Sequence, residues 1–490
     1  MESSVISTRK SFTLDKFASQ VKVVGNSSIK NILNISAYSV VGNCENLNQI
    51  ITLSGKIIVN VLYLTNDGII ESASAEADFI EKQKFEFNLS DIFVDDKLMV
   101  ENINFSSNEI ICSVRHNTQI IGIYNYEMLD INRDNGLIFT NTNKINSSRF
   151  ICSAEDDFQV SEEIETTLKD IDILMTNAFA VVDDVSCSVD KVVIDGHIVV
   201  YFIFKDGENI SSNSKQIEFK QEISAESTLP NMKANSFVSI KNASVTLEQK
   251  DDGCVLAYNI DIYSKSYVFE NYEYEVATDM FMTSNEVDLV YNYIDTNDFI
   301  EMIEQSESVL SQTDITHIVD FEDLIGVYFP KIKIEKIENN EDKSQISAKI
   351  SAIALYKSQN GIEKLDVSSD VSFDIGLNIN NFISYANACC EIVSSKVKAG
   401  KELEIVFKTN CHANISNKTS LQIVKSYDIK TQKQTDDAGI KVYIAKENQS
   451  IFDIAKALSV NPQLIALQNH IDGVLESGQK VYVYSPINFA

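Results

Sequence analysis

The 490-residue chain carries 41 basic and 71 acidic residues, a net charge of −30 at pH 7. That excess repels phosphate backbones and anionic headgroups, which excludes nucleic acid or an anionic membrane surface as the main partner. Hydrophobic content of 44%, with sixteen glycines, four prolines and no tryptophan, describes a globular protein rather than a low-complexity or collagen-like one.

The length points to roughly three to four domains. Met1-Glu2-Ser3-Ser4 offers neither the basic start nor the apolar core of a secretory signal, and no stretch approaches the length of a transmembrane segment. The expectation is a protein that is not secreted by a signal peptide and stays in the compartment where it is made. Eight cysteines lie scattered without C-x-x-C spacing, which reads as reduced, largely buried thiols rather than a zinc site.

Runs rich in Ile, Val, Tyr, Phe and Ser with period-two alternation predict a mainly β chain. Three passages share one grammar: an apolar strand ending in an aromatic, a Gly-bearing turn, and a more polar strand closed by Phe. They are Gly55–Tyr63 with its return to Phe79, Gly196–Phe204 returning to Phe219, and Ala348–Tyr356 returning to Phe373. An Ile/Leu-rich lead-in precedes each (Ile29–Val41, Ile164–Val181, Ile318–Ile334), and a long alternating strand pair follows, seen in Glu109–Ile123, Cys254–Val268 and Glu402–Ile415. Spacings of 141 residues (55 to 196) and 152 (196 to 348) far exceed a solenoid period, so each copy is expected to bury its own core.

The expected division is 1–150, an N-terminal segment with the first β domain, then 151–292 and 293–430 for the second and third. Boundaries are placed in the polar stretches Asn141–Ser148, Asn292–Asp314 and Lys430–Gly439, with 431–439 as a linker. Within the second stretch, Phe299, Ile300, Ile303 and Leu310 stand at roughly helical spacing and predict a short connecting helix over Asp298–Leu310.

Residues 440–486 read differently. Ser450 is a good N-cap ahead of Ile451, Ile454, Ala455 and Leu458, and Asn461-Pro462 starts a second helix whose apolar side is Leu464, Ile465 and Leu467. Strands around Val442–Ile444 and Val481–Tyr484 flank them, giving a small α/β unit in strand-helix-helix-strand order. Four lysines balance Glu447, Asp453, Asp472 and Glu476 after residue 440, so all the excess charge lies upstream. This segment resembles a LysM domain. The family's Gly-Asp-Thr-Leu entry to the first helix stands here as Asn448-Gln449-Ser450-Ile451, without the family's acid and glycine. The resemblance implies a groove or docking surface between that loop and the one after the second helix, built from Asn448, Gln449, Ser450, Ile451, Phe452, Asn469, Ile471, Val474 and Leu475. On the register of Ile451, Ile454 and Leu458, Phe452 falls off the core face, either exposed for binding or packed under a loop, with exposure favoured.

Tandem β units of this pattern ending in a LysM-like tail are similar to the SPOCS-domain (spore coat associated) proteins of endospore-forming Firmicutes, in particular the clostridial SPOCS–LysM coat morphogenetic type. The third copy departs from the pattern in starting with Ala348 instead of Gly. The resemblance implies a scaffold made in the mother-cell cytoplasm that attaches spore coat layers at the forespore surface. It acts through contacts with other coat morphogenetic proteins and with a coat-basement ATPase. The alternative is a carbohydrate-binding protein whose LysM-like tail holds peptidoglycan or chitin-like N-acetylglucosamine chains; a hydrolase with a LysM anchor is the third reading.

No catalytic, metal or cofactor site is expected. His116 and His197 sit in alternating strands, and Cys411-His412 and Cys389-Cys390 are adjacent pairs whose side chains point to opposite faces of a strand. Acidic pairs such as Glu162-Glu163, Asp183-Asp184, Asp251-Asp252 and Asp436-Asp437 lack the ladder and mid-loop Gly of a calcium loop and read as solvated turns. Phosphate-loop, dinucleotide and G-x-S-x-G motifs are missing. A glycosidase carboxylate pair would leave no trace in spacing, since the separation of two acids in space is not a sequence property.

Overall fold

A computed structural model describes residues 5–484 except 131–137, 208, 251–252, 319, 341–342, 360, 379, 399–401, 434–438 and 472–474. The chain is mainly β, 81% strand against 4% helix, as the period-two alternation requires. Among the described residues the strands form seven sheets, and six of them fall in chain order into three pairs. The first pair comprises β1 (Val5–Thr13), β2 (Ala18–Val24), β3 (Ile29–Leu47), β4 (Ile50–Thr65), β5 (Ile70–Lys84), β6 (Leu89–Ser106) and β7 (Glu109–Glu127). Strands β3-β4-β5 make one sheet; in the other, β7 has β6 on one side and β1 and β2 end to end on the other.

The second pair comprises β8 (Ile138–Thr166), β9 (Ile171–Ser188), β10 (Lys191–Asp206), β11 (Asn209–Ser224), β12 (Lys233–Lys250) and β13 (Gly253–Met282), in sheets β9-β10-β11 and β8-β13-β12. In the third, β14 (Asn285–Asp314), β15 (Asp323–Asn339), β16 (Lys343–Ser358), β17 (Gly361–Gly376), β18 (Asn381–Lys398) and β19 (Glu402–Gln432) repeat that order as β15-β16-β17 and β14-β19-β18. Thus β8 and β14 are single strands where the first pair uses β1 and β2. The three hairpins read from the sequence are β4-β5, β10-β11 and β16-β17, one in each pair and in separate sheets.

Each pair closes a core between its middle strands. Ile57, Val59 and Val61 of β4 meet Ile110, Cys112 and Val114 of β7; Ile198, Val200 and Phe202 of β10 meet Leu256, Tyr258 and Ile260 of β13. In the third, Ile350, Ala352 and Ala354 of β16 meet Leu403, Ile405 and Phe407 of β19. The opposite faces are buried as well, which corrects the expectation that each copy keeps its core to itself. Leu33, Leu62, Leu64 and Ile70 pack with Met175 and Ile203 of the second pair and Tyr328, Phe329 and Leu355 of the third in one shared cluster. Ile6 and Tyr126, Tyr274 and Val276, and Ile294 and Ile423 form another that draws on all three pairs.

Arg9 of β1 adds a polar tie at the same junction. Its guanidinium is buried, donates to Asn235 of the second pair and, at 3.1 Å, to Ser384 of the third, and lies 5.8 Å from the rings of Phe237 and Phe299. Burial pushes its pKa down to about 10, so it stays charged at neutral pH.

Two sequence expectations are corrected here. The chain passes between sheet pairs after Glu127 and at Thr283-Ser284, whereas the divisions at 150/151 and 292/293 fall inside β8 and β14. Asn141–Ser148 is a paired stretch of β8 opposite Asn271–Asp279, polar because much of it faces solvent. Asp298–Leu310 is likewise strand, not helix, paired along β19 from Asn417 to Val406.

Candidate functional site

After Lys433 come β20 (Ile440–Ile444), α1 (Ile451–Leu458), α2 (Pro462–Asn469) and β21 (Lys480–Tyr484), with β20 and β21 paired antiparallel. Local chemistry fixes both helices. Ser450 Oγ accepts from the Asp453 amide at 3.2 Å while Asp453 Oδ2 accepts from the Ser450 amide at 2.8 Å, a reciprocal capping box. Asn461 Oδ1 accepts from the Gln463 amide at 2.9 Å, and Pro462 fills the first turn, where its missing N–H costs nothing. Asn448 stands at φ 61°, the left-handed conformation for which Asn is the usual substitute for Gly. Ile454, Ala455, Ile465, Ile471, Leu475, Val481 and Val483 form the interior.

The two loops singled out from the sequence do come together: the Leu475 amide donates to the Gln449 carbonyl at 3.2 Å. Their side chains are mostly occupied in holding that geometry. Gln449 accepts from the Lys446 amide (2.9 Å) and donates to the Tyr443 hydroxyl (3.2 Å), and Asn469 brackets Tyr482 by accepting from its amide and donating to its carbonyl, both at 2.7 Å. Ile471 and Leu475 are buried, Ile451 is half-buried, and Asn448 is exposed. Val474 lies outside the described residues.

Phe452 corrects the favoured expectation of exposure. Its ring meets Phe281 of β13 edge to face at 5.3 Å, and Phe281 in turn stacks on Phe139 of β8 at 5.4 Å. Around this aromatic seam Lys456 donates to both carboxylate oxygens of Asp279 at 2.6 Å, and Lys433 donates to the Met282 carbonyl (2.9 Å) and Ser459 Oγ (2.8 Å). The tail is therefore seated on the end of the second sheet pair. Replacing Phe452 with Ala should leave the tail's circular dichroism intact but speed amide exchange in α1 and at Phe281 by up to about tenfold, the loss of one aromatic pair. Unchanged exchange would show that the seam contributes nothing to docking.

What the tail does expose was missed in the sequence. Ile440, Val442 and Ile444 on β20, with Tyr482 and Tyr484 on β21, share the outer face of the ribbon; Val442 is 54% exposed and Ile444 62%. The signal was in β21, where Val481-Tyr482-Val483-Tyr484 is apolar or aromatic at both parities, which leaves one set without a core to enter.

Elsewhere, His116 is bonded to Asp96 (2.8 Å) and Ser19 (3.1 Å), and His197 to Asp183 (2.8 Å). The buried His412 differs from these two: among the described residues neither of its ring nitrogens is hydrogen-bonded. Burial pushes the thiols of Cys44, Cys389 and Cys411 up to about 12 and those of Cys112 and Cys187 up to about 11, so they stay protonated and unreactive at neutral pH. Among the described residues no group of three His, Cys, Asp or Glu side chains is placed to hold a metal, and no helix is long and apolar enough to cross a membrane.

Residues 170–248 match the family described as SipL, SPOCS domain. The matched segment runs from the start of β9 almost to the end of β12, that is, the three-stranded sheet of the second pair and the strand that follows it. The chain thus carries a SPOCS domain, which suggests a spore coat-associated role. No curated protein matches the chain.

Proposed function

We propose that the protein is a non-enzymatic scaffold of the spore envelope, with three SPOCS-like β units as an assembly platform and a LysM-like tail as a docking module. The observation that carries this reading is the SPOCS domain at residues 170–248. The recurrence of the same strand order in the sheet pairs before and after it extends the reading to the rest of the body. Shared cores join the units into a rigid support, the property a scaffold needs to hold partners at fixed separations.

The tail's contribution follows from which of its faces is free. With Phe452 committed to Phe281, the docking surface is the outer face of the ribbon, Ile440, Val442, Ile444, Tyr482 and Tyr484. An apolar, aromatic-bearing patch of this kind suits a protein partner; the partner proposed is a coat morphogenetic protein such as the coat-basement ATPase, met at the forespore surface.

The test is binding of full-length protein to purified coat-basement ATPase from a spore-former, with Val442→Glu/Tyr482→Glu as the probe variant. We expect at least about a tenfold loss of affinity, since a charge at the centre of an apolar contact is strongly penalised, while circular dichroism is unchanged. Tight binding of chito-oligosaccharides together with no binding to the ATPase would replace this reading with the glycan-binding one.

A further inference from the structure

The third sheet pair breaks the repeat at one point. All three first strands carry a bulge near the end of the apolar hairpin strand, at Leu33, Leu174 and Ile325, and another near Gly42, Asp183 and Glu335. Only β15 inserts a further residue between these two, where Phe329 and Pro330 together face Ala352. Phe329 there has φ 55°, a left-handed conformation that a bulky side chain avoids, and it is held by burial in the shared cluster. Pro330 has no amide to offer the ladder. Strain confined to one copy, kept in place by packing, is a mark of a functional position.

The residue this bulge delivers is Lys331. It faces a cleft of about 380 Å³ whose walls come from all three sheet pairs, Tyr38, Asn177, Lys331 and Asn387 among them. Lys331 is solvent-exposed within that cleft, and enclosure by the surrounding sheets lowers its pKa. Among the described residues it has no hydrogen bond or ion pair, in a chain with 71 acidic residues to choose from. The carboxylates lining the cleft are already engaged: Asp95 by Lys97 (3.4 Å) and the Tyr385 hydroxyl (3.3 Å), Asp96 by His116 (2.8 Å) and Thr118 (2.7 Å).

Past Ala180, Val238 and Asn387, which line both spaces, lies a recess of about 40 Å³ that holds His412. His412 is 6% exposed, neither ring nitrogen has a partner, and the Glu304 carboxylate stands off at 4.0 Å. A buried imidazole with both nitrogens unpaired among the described residues is left to bond a water or a ligand. Asn387 sits beside it across the β18–β19 ladder and connects recess to cleft.

We propose that this cleft binds a small organic molecule bearing a carboxylate or phosphate, its anionic group on Lys331 and a polar end reaching Asn387 and His412. The volume suits a metabolite-sized ligand, and the site is independent of the tail and of the SPOCS reading.

Isothermal titration of the full-length protein with citrate and, separately, inorganic phosphate distinguishes the two sources of charge. We expect saturable binding of at least one probe at one site per chain, weakened about tenfold or more by Lys331→Gln and measurably by His412→Gln. Lys331→Arg, which keeps the charge, should retain binding, and Lys333→Gln, two residues along the same strand face but turned to Met99 Sδ at 3.4 Å and outside the cleft lining, should weaken it far less than Lys331→Gln. No saturable binding of either probe, or binding equal in wild type and a folded Lys331→Gln protein, overturns the proposal.

Discussion

Leu62→Ala is expected to destabilise all three sheet pairs together, by about 2–5 kcal/mol. Leu62 is fully buried and sits on the face of β4 turned away from its own pair's core, among Met175, Ile203, Tyr328, Phe329 and Leu355. Truncation removes transfer energy and leaves a cavity whose other walls belong to the second and third pairs. If each copy buried an independent core, the loss would stay in the first pair and the protein would unfold in separate steps. Residue-resolved amide exchange separates these outcomes: protection should fall in β9–β10 and β15–β16 as well as in β3–β5. Loss confined to β3–β5 would count against a shared core. Ile80→Ala, at a position 71% exposed, should change stability by no more than about 0.5 kcal/mol.

The β class and the hairpins were legible because alternation and turn chemistry are local. Gly55 pairs with Phe79 and Gly196 with Phe219, each closing the strand pair that the grammar marked out. Caps were legible for the same reason: Ser450 and Asn461 act on amides two or three residues away. Phe452 was not, because the partner that covers it is Phe281, far back in the chain. The helix expected over Asp298–Leu310 failed for an instructive reason. A bulge between Phe299 and Glu301 leaves Ile300 as an extra residue, which shifts the side-chain parity and turns a period-two pattern into apparent helical spacing. A cue to the shared clusters did lie in the sequence. Val61-Leu62-Tyr63-Leu64 and Ile198–Ile203 are near-continuous apolar runs, and strands of that kind are buried on both faces. Lys331 and His412 could not have been paired from sequence at all, since a cleft among three sheet pairs and an unsatisfied ring nitrogen exist only once the pairs are assembled.

Gly196→Ala should cost about 2–3 kcal/mol, while Ala348→Gly at the matching place in the third copy should cost only about 0.5–1 kcal/mol. A Cβ at 196 would lie 2.4 Å from the Val181 carbonyl and 2.5 Å from the Phe219 ring; at 55 the corresponding distances are 2.4 Å to Val40 and 3.0 Å to Phe79. The bulges at Asp183 and Gly42 bring that carbonyl in, and the aromatic from the next strand lies across the bare backbone, so glycine and ring form one device. In the third copy the bulge remains, at Glu335, but Ala348 faces Val371, and Phe373 has moved two residues along to face Ile346. With the ring displaced, the methyl fits; the loss of glycine and the shift of phenylalanine are one change. Adding Phe219→Ala to Gly196→Ala should therefore cost less than the two single losses combined, since the ring clash disappears while the carbonyl clash remains. Denaturant unfolding of the four proteins measures this, and equal small losses at 196 and 348 would mean that the glycine is not set by the ring and carbonyl above it.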